Sequence, residues 1–327
     1  MAIIEVNNIS KDYVTYSYEK GIKGMLKGLV KREKQITKAV SNISFSVEKG
    51  ESVAYIGPNG AGKSTTLKML SGILEPTSGM VKVCDIEPYK NRQTYAKKIG
   101  VIFGQRSQLR WDIPAIDSLK LMSHIYNVDS VEYKKRMEVF DDILEFGSFI
   151  NKPVRQLSLG QRVRVDFAAA LLHNPEILFL DEPTIGLDVV AKEKIRNFIK
   201  YVNEESNVTI ILTTHDMVDI EKICNRVILI DRGTLKFDDS IKKFEKTYGT
   251  NRLISVEFIS EQDALQFDFA NSQVRKINVA NNSATFLFTK AVPVKQLITE
   301  LNDRIEIRDF SVKDEDIESV VRRVYQQ

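Results

Sequence analysis

The chain has 327 residues, 43% of them apolar and 28% charged, a composition typical of a globular protein with room for about two domains. Its net charge of +3 is too small to indicate a nucleic-acid-binding protein, and no apolar run approaches the roughly 20 residues that span a bilayer. The N-terminus has no signal-peptide pattern, and the two cysteines, Cys84 and Cys224, lack metal-ligand spacing. We therefore expect a soluble protein of the reducing cytosol.

The segment 19–38 is basic and follows the first predicted strand. It holds seven Lys and Arg residues against Glu19 and Glu33, and its apolar residues between Ile22 and Val30 recur at helical spacing. This pattern predicts a basic amphipathic helix. Such a helix fits three surfaces, namely anionic lipid headgroups, a partner protein or the helix's own domain. A role close to a membrane is the interpretation that we favour.

A phosphate-binding loop follows the predicted strand 51–56. The run Gly57-Pro58-Asn59-Gly60-Ala61-Gly62-Lys63-Ser64 fits the pattern G-x-x-x-x-G-K-S, and a predicted helix over 64–70 comes next. In this pattern backbone N–H groups surround the phosphates, the lysine reaches the outer phosphates and the serine hydroxyl binds Mg²⁺. The helix also points its positive N-terminal end at the nucleotide. The strand–loop–helix order therefore predicts an ATP site.

Four further runs come later in the chain. The run 157–161 reads Leu-Ser-Leu-Gly-Gln, and the apolar strand 177–180 ends in Asp181 and Glu182. Adjacent carboxylates at a strand end suit a metal ligand followed by a general base. The strand near 211 ends in Thr-Thr-His215, and the strand 99–103 leads into Gly104-Gln105. All four motifs therefore follow predicted strands or precede a predicted helix.

The order of predicted elements changes near residues 238–251. A hairpin around Asp231-Arg232-Gly233 closes the first region, and residues 241–248 form a helical connector. After it, strands, helices and turns follow the order β-α-β-β-α-β, which predicts a small ferredoxin-like domain. We therefore expect an ATPase domain over 1–240, a connector over 241–252 and an α+β accessory domain over 253–327.

The phosphate-binding loop together with the runs 157–161 and 177–188 resembles the ATPase subunits of ATP-binding cassette (ABC) transporters. The resemblance covers roughly residues 1–237. It implies an α/β P-loop ATPase fold with a helical subdomain over about 105–158, and ATP and Mg²⁺ as ligands. It also implies a homodimer, because in this family the positions of Ser158 and Gly160 close over the γ-phosphate that a second subunit holds.

The resemblance implies a role for each motif residue. Glu182 is the expected general base, and His215 is expected to orient the γ-phosphate and the attacking water. Gln105 is expected to sense Mg²⁺ and the water. The expected metal site consists of Ser64, Gln105 and Asp181. The expected nucleotide-binding residues are Tyr13, Gly57, Pro58, Asn59, Gly60, Ala61, Gly62, Lys63, Ser64, Thr65, Ser158, Gly160, Gln161 and Asp188.

Three positions leave questions open. Leu159 stands where most family members have glycine, although Ser158 and Gly160 remain, so we expect function to survive. Gln105 comes one residue later than the family's usual spacing, and Gln108 is the alternative. Tyr13 is the expected platform for adenine, with Tyr16 and Tyr18 as alternatives because the segment that follows is unusually long.

The run 104–112 resembles a bacterial subgroup in which one ATPase serves small export permeases, and the C-terminal extension resembles those of drug, antibiotic and polysaccharide exporters. We therefore expect an ATPase at the cytoplasmic face of the membrane that powers an exporter. An importer ATPase and a non-transport cassette ATPase are the alternatives. The expected partners are a second ATPase subunit and integral membrane permeases, with lipid headgroups as a further contact of 19–38.

Overall fold

The computed structural model describes residues 2–17, 33–104, 106–249, 251–315 and 321. The chain divides into two units, Met1–Ser240 and Ile241–Gln327. The strands of the first unit are β1 (Ala2–Ser17), β2 (Glu33–Glu48), β3 (Ser52–Ile56), β4 (Ser78–Val83), β5 (Ile99–Phe103), β6 (Ile177–Asp181), β7 (Thr209–Thr213), β8 (Arg226–Asp231) and β9 (Thr234–Ser240).

A six-stranded sheet forms the centre of the first unit. Its strand order is β5–β6–β7–β3–β8–β9, and all neighbours are parallel except β9, which is antiparallel to β8. Strands β3 and β7 are buried along their whole length. Continuous apolar strands of this kind are expected where helices cover both faces of a parallel sheet. The mixed α/β fold with a phosphate-binding loop is therefore confirmed.

The helices of the first unit are α1 (Lys63–Leu70), α2 (Arg92–Ala96), α3 (Ala115–Ile125), α4 (Ser130–Leu144), α5 (Leu159–Leu171), α6 (Val189–Ser206) and α7 (Met217–Ile223). Helices α3 and α4 lie in the region predicted to be a helical subdomain. The side chains of Ser158, Asp188 and Asp216 accept backbone hydrogen bonds at the starts of α5, α6 and α7. Within the described ranges, no helix is both long enough and apolar enough to cross a membrane.

Strands β1 and β2 form a long antiparallel hairpin, and β4 pairs with the other edge of β1. The sequence did not predict the start of β2, because residues 33–38, the C-terminal part of the basic segment 19–38, belong to this strand. Lys38 lies opposite Asp12, and Ile36 lies opposite Val14. The helical spacing of apolar residues stops at Val30, and the available edge of β1 pairs the residues that come after 32. The predicted helix over 22–30 lies outside the described residues.

The second unit contains α8 (Ile241–Tyr248), β10 (Asn251–Phe258), α9 (Glu261–Gln266), β11 (Val274–Ala280), β12 (Ser283–Thr289), α10 (Val294–Arg304) and β13 (Ile307–Asp314). Its antiparallel sheet has the order β11–β12–β10–β13. After α8 the element order is β-α-β-β-α-β, which is the order on which the prediction of a ferredoxin-like domain is based. Alternate residues of the strands, such as Ile254, Phe258 and Phe286, face a buried core that includes Leu297 of α10. The predicted final helix over 316–325 lies outside the described residues except for Val321, which is helical.

Candidate functional site

The motif residues meet at one edge of the six-stranded sheet. The strand order places β6, β7 and β3 next to one another, and these strands are parallel. Their carboxyl ends therefore lie at the same edge, where the loops after them bring together the phosphate-binding loop, Asp181 with Glu182, and His215. Ligand sites of open parallel sheets form at this edge for the same reason.

Two glycines give the phosphate-binding loop its path. Gly62 has a φ of +105°, and a Cβ atom placed on it would lie 2.4 Å from the carbonyl oxygen of Ala39 in β2. A Cβ atom on Gly57 would lie 2.3 Å from the carbonyl oxygen of Ile230 in β8. The loop is therefore held between two strands at positions that admit no side chain. Asn59 and Gly60 are exposed at its tip.

Local hydrogen bonds connect the loop to α1. The N–H of Ala61 donates to the carbonyl oxygen of Pro58 at 3.1 Å. The N–H of Thr66 donates to the carbonyl oxygen of Gly62 at 2.9 Å, so the helical ladder starts within the motif. Ser64 is exposed and Thr65 is half-buried in the first turn of the helix. The free N–H groups of this first turn are the donors that an anion at the helix start would use.

Lys63 is buried and faces its own loop. Its Nζ donates to the carbonyl oxygens of Gly57 at 2.6 Å and Pro58 at 3.1 Å. Burial lowers the pKa of Lys63, and the nearby carboxylates of Glu182 and Asp181 oppose that change. The ammonium group therefore lies where water hydrates it poorly, so an anionic ligand would form a strong charge-assisted hydrogen bond with it.

Ser64 and Asp181 supply two oxygens at one point. Ser64 Oγ lies 3.3 Å from Asp181 Oδ1, and Thr213 Oγ1 donates to the same carboxylate oxygen at 2.5 Å. Neighbouring oxygen ligands of an octahedral Mg²⁺ lie about 3 Å apart, so this pair fits the expected cation. No group of three or more His, Cys, Asp or Glu side chains suited to a metal occurs among the described residues. Thr213 was not assigned a role from the sequence, although its place at a strand end opposite Asp181 could have suggested one.

Glu182 and His215 are brought into contact. His215 Nε2 lies 3.0 Å from Glu182 Oε2, with 24% of the glutamate side chain and 57% of the histidine side chain exposed. Glu182 has a φ of +54°, and its N–H donates to the carbonyl oxygen of Thr213 at 2.9 Å. The left-handed turn thus aims the carboxylate away from β6 and towards the loop after β7. A base and an orienting imidazole within hydrogen-bond distance are suited to activating a water molecule.

The loop after β5 is described except for Gln105, which lies outside the described residues. The alternative, Gln108, uses its side chain locally, because Nε2 donates to the carbonyl oxygen of Val101 at 2.6 Å. The same loop is tied to α5 by Asp166, whose Oδ1 accepts from Ser107 Oγ and from the N–H of Gln108, both at 2.9 Å. Burial raises the pKa of Asp166 to about 6. The sequence offered no periodic signal for these hydrogen bonds between Asp166 and the loop after β5.

Tyr13 lies in the β1–β2 hairpin opposite Thr37. Its side chain is 38% exposed, and Lys11 Nζ lies 5.9 Å from its ring centroid. The hairpin passes beside the phosphate-binding loop at Ala39, two residues after Thr37. Of the alternatives, Tyr16 lies further along the hairpin opposite Lys34, and Tyr18 lies outside the described residues.

Ser158, Gly160, Gln161 and Asp188 line a separate concavity of about 510 Å³. No residue of 57–65, all of which are described, lines it. Ser158 and Gln161 form a capping box at the start of α5, in which Gln161 Oε1 accepts from the N–H of Ser158 at 3.0 Å. A Cβ atom on Gly160 would lie 3.2 Å from that of Ala191 in α6, so the glycine lets the two helix starts approach closely.

The side chain of Leu159, which stands next to Ser158 and Gly160, is not part of the capping box. A Cβ atom on Gly186 would lie 3.2 Å from Leu159 Cδ2, so the leucine side chain extends towards the loop before α6. Asp188 caps that helix, accepting from the N–H of Ala191 at 2.8 Å. Leu159 thus leaves the capping box intact. Within one chain, Ser158, Gly160, Gln161 and Asp188 thus lie on a surface apart from the phosphate-binding loop.

Comparisons with known proteins agree with this site. The family model described as ABC transporter matches residues 40–185. The ABC transporter ATP-binding protein NatA of Bacillus subtilis is 33% identical over 69% of this chain and 91% of its own length. The Nod factor export ATP-binding protein I of Cupriavidus metallidurans is 36% identical over 59% of this chain and 63% of its own length. The methionine import ATP-binding protein MetN 2 of Enterococcus faecalis is 35% identical over 60% of this chain and 58% of its own length.

A solved structure with the same fold is the dimeric post-hydrolysis state of an ATP-binding cassette bound to ADP and Pi. It is 29% identical, with a TM-score of 0.60, over 73% of this chain and 98% of the solved chain. The nucleotide in that structure occupies a protein of the same fold as the first unit.

Proposed function

Because the chain belongs to the ABC transporter family, as an ATP-binding subunit with ATPase activity, we propose that Glu182 and His215 form its hydrolytic pair. The supporting observation is the 3.0 Å between Glu182 Oε2 and His215 Nε2. Glu182 accepts a proton from water as the water oxygen attacks the γ-phosphorus, and the bond from that phosphorus to the bridging oxygen of ADP breaks. His215 orients the γ-phosphate and the water during this step.

The phosphate-binding loop holds the nucleotide in this proposal. Lys63 exchanges the carbonyl oxygens of Gly57 and Pro58 for phosphate oxygens, and the N–H groups from Asn59 to Thr65 surround the phosphates. Ser64 and Asp181 would hold Mg²⁺, with Gln105 as the third expected contact. The bound cation would neutralise charge on the β- and γ-phosphates. Tyr13 covers the adenine with its ring face.

Replacing the base tests the assignment. We expect Glu182→Gln to bind ATP but to lose turnover by about 10²- to 10⁴-fold, because the amide has the carboxylate's shape without its basicity. Phosphate release and ATP titration on the full-length protein separate the two properties. Turnover near the wild-type rate would show that Glu182 is not the base.

Two chains complete each other's sites in this proposal. The concavity lined by Ser158 and Gly160 lies apart from the chain's own phosphate-binding loop, so a second chain brings the two surfaces together over one ATP. Mixing a Lys63→Ala chain with a Ser158→Arg chain creates one intact composite site, whereas each mutant homodimer has none. We expect mixing to restore turnover. If verified heterodimers remain inactive, a linked dimer with one Lys63→Ala site would test whether both sites must be intact together.

Export is the transport direction that we propose, from the cytoplasmic face of a membrane and together with permease subunits. The resemblance of the run 104–112 to an exporter subgroup and the similarity to a Nod factor export protein support it. Many importers receive their cargo from an extracytoplasmic binding protein. Turnover of the complex purified from membranes should therefore be independent of any such protein, and a strict requirement for one would favour import.

A further inference from the structure

A buried cluster of polar side chains joins α6 and α7 to the two loops that carry Glu182 and His215. At its centre is Asp219, in the first turn of α7, whose side chain is fully buried. Arg196 of α6 is also buried, and its Nε donates to Asp219 Oδ1 at 2.6 Å. This charged pair fixes the two helices against each other in a region that is nearly closed to water.

The second oxygen of the Asp219 carboxylate accepts two hydroxyl hydrogen bonds. Thr184 Oγ1 donates to Oδ2 at 2.6 Å, and Thr214 Oγ1 donates to the same oxygen at 3.1 Å. Thr184 follows Glu182 by two residues, and Thr214 immediately precedes His215. One buried carboxylate therefore holds the loop of the base and the loop of the histidine.

The residue after His215 belongs to the same cluster. Asp216 Oδ2 accepts from Lys192 Nζ at 2.6 Å and from Arg196 Nη2 at 3.1 Å. The backbone N–H of Asp216 donates to Thr214 Oγ1 at 2.9 Å. Both chain neighbours of His215 are thus bonded into the cluster, while the imidazole itself extends to Glu182.

A cluster of this kind tolerates little displacement, because a buried charge that loses a partner is strongly unfavourable. Glu182 also has a left-handed backbone, which a glutamate keeps only where its surroundings hold it there. We propose that Asp219 is a positioning residue for ATP hydrolysis, which holds Glu182 and His215 in contact through the hydroxyls of Thr184 and Thr214. This inference rests on the proposed roles of Glu182 and His215.

Thr184→Val is the direct test, because valine has nearly the same shape and lacks the hydroxyl. The change displaces the catalytic pair without removing a group that contacts ATP. We expect kcat to fall by about tenfold or more, while the Kd for ATP changes by less than about twofold. Thr184→Ser restores the hydroxyl and should retain most of the wild-type kcat.

Thr209→Val is the matched control for a lost buried hydroxyl. Thr209 is fully buried at the start of β7, and its Oγ1 accepts from the N–H of Gly50 at 2.9 Å. This variant loses one hydrogen bond of a similarly buried threonine, at the opposite end of the strand from His215. We expect thermal stability to fall in both valine variants and kcat to fall only in Thr184→Val. Thr214→Val provides the same measurement if Thr184→Val does not fold.

The measurements are phosphate release and titration with ATP on the full-length protein. The inference is overturned if Thr184→Val keeps the kcat of Thr209→Val, or if Thr184→Ser falls as far as Thr184→Val. Failure of the proposed function looks different, since Glu182→Gln would then retain turnover. A slow Glu182→Gln together with a fully active Thr184→Val would leave the base assignment standing and refute the role of Asp219.

Discussion

Gly62→Ala is expected to destabilise the nucleotide-free protein much more than Gly60→Ala does. Both glycines lie in the phosphate-binding loop and have a left-handed backbone, with φ of +105° and +82°. Their surroundings differ. A Cβ atom on Gly62 would lie 2.4 Å from the carbonyl oxygen of Ala39 and 3.2 Å from Val40 Cγ2, whereas a Cβ atom on Gly60 has no neighbour within 4 Å.

These contacts set the expected magnitudes. An alanine in a left-handed conformation costs about 1 to 2 kcal/mol, and this term applies to both variants. The steric term applies only to Gly62→Ala, where the Ala39 carbonyl belongs to β2 and can move little, and overpacking of this kind costs about 1 to 3 kcal/mol. For a domain of this size 1 kcal/mol lowers Tm by about 2 to 4 °C. We therefore expect a loss of about 4 °C for Gly60→Ala and about 10 °C for Gly62→Ala.

Thermal unfolding of the full-length protein without nucleotide, followed by circular dichroism, measures the difference. Titration with ATP then shows whether Gly62→Ala also weakens binding, as expected if the start of α1 shifts. An equal Tm for the two variants would refute the reasoning, because it would mean that the loop moves away from β2 without loss of stability.

Three further predictions concern other parts of the site. Lys63→Ala should weaken ATP binding by about 10- to 100-fold, because a charge-assisted hydrogen bond to phosphate is lost, and calorimetric titration measures this. Tyr13→Ala should weaken ATP binding by about 5- to 100-fold, because the stacking of the ring on adenine is lost, whereas Tyr13→Phe should bind ATP as the wild type does. An ATP affinity of Tyr13→Ala equal to that of the wild type would exclude Tyr13 as the adenine platform. Burial raises the pKa of Asp166 to about 6, so the folded protein favours the protonated carboxyl group. The stability that this group contributes is therefore complete below its unfolded pKa of about 4, and it is lost as the pH rises through about 6. Asp166→Asn should remove up to about 3 kcal/mol of this pH dependence, measured by unfolding between pH 4 and 7.

The sequence by itself was sufficient where the signal is local. The phosphate-binding loop could be recognised because its glycines, lysine and serine are consecutive and lie between an apolar strand and a helix. The six elements that follow α8 could be predicted because each has its own period and its own turn, as in the hairpin from Val274 to Thr289. The role of Asp181 as a strand-end carboxylate followed from the same kind of evidence, a short apolar run that ends in acidic residues.

The strand at residues 33–38 could not be predicted from periodicity, for a physical reason. Residues 33–38 continue a basic segment, and nothing within those six residues excludes a helix. Their strand conformation depends on pairing with residues 12–17 of β1, which lie some twenty residues away in the chain. Strand pairing is a non-local interaction, so a window of neighbouring residues contains little information about it.

The sequence alone indicated which chemistry this protein carries, because the residues that we propose to bind phosphate and activate water follow strands in short, recognisable runs. Only the tertiary structure decided how those residues meet. The contact between Glu182 and His215 and the bonds from Asp219 to Thr184 and Thr214 join positions that are 5 to 35 residues apart. They form because the parallel sheet brings the ends of β6 and β7 to one edge, and because a buried carboxylate must find partners wherever the packed helices supply them.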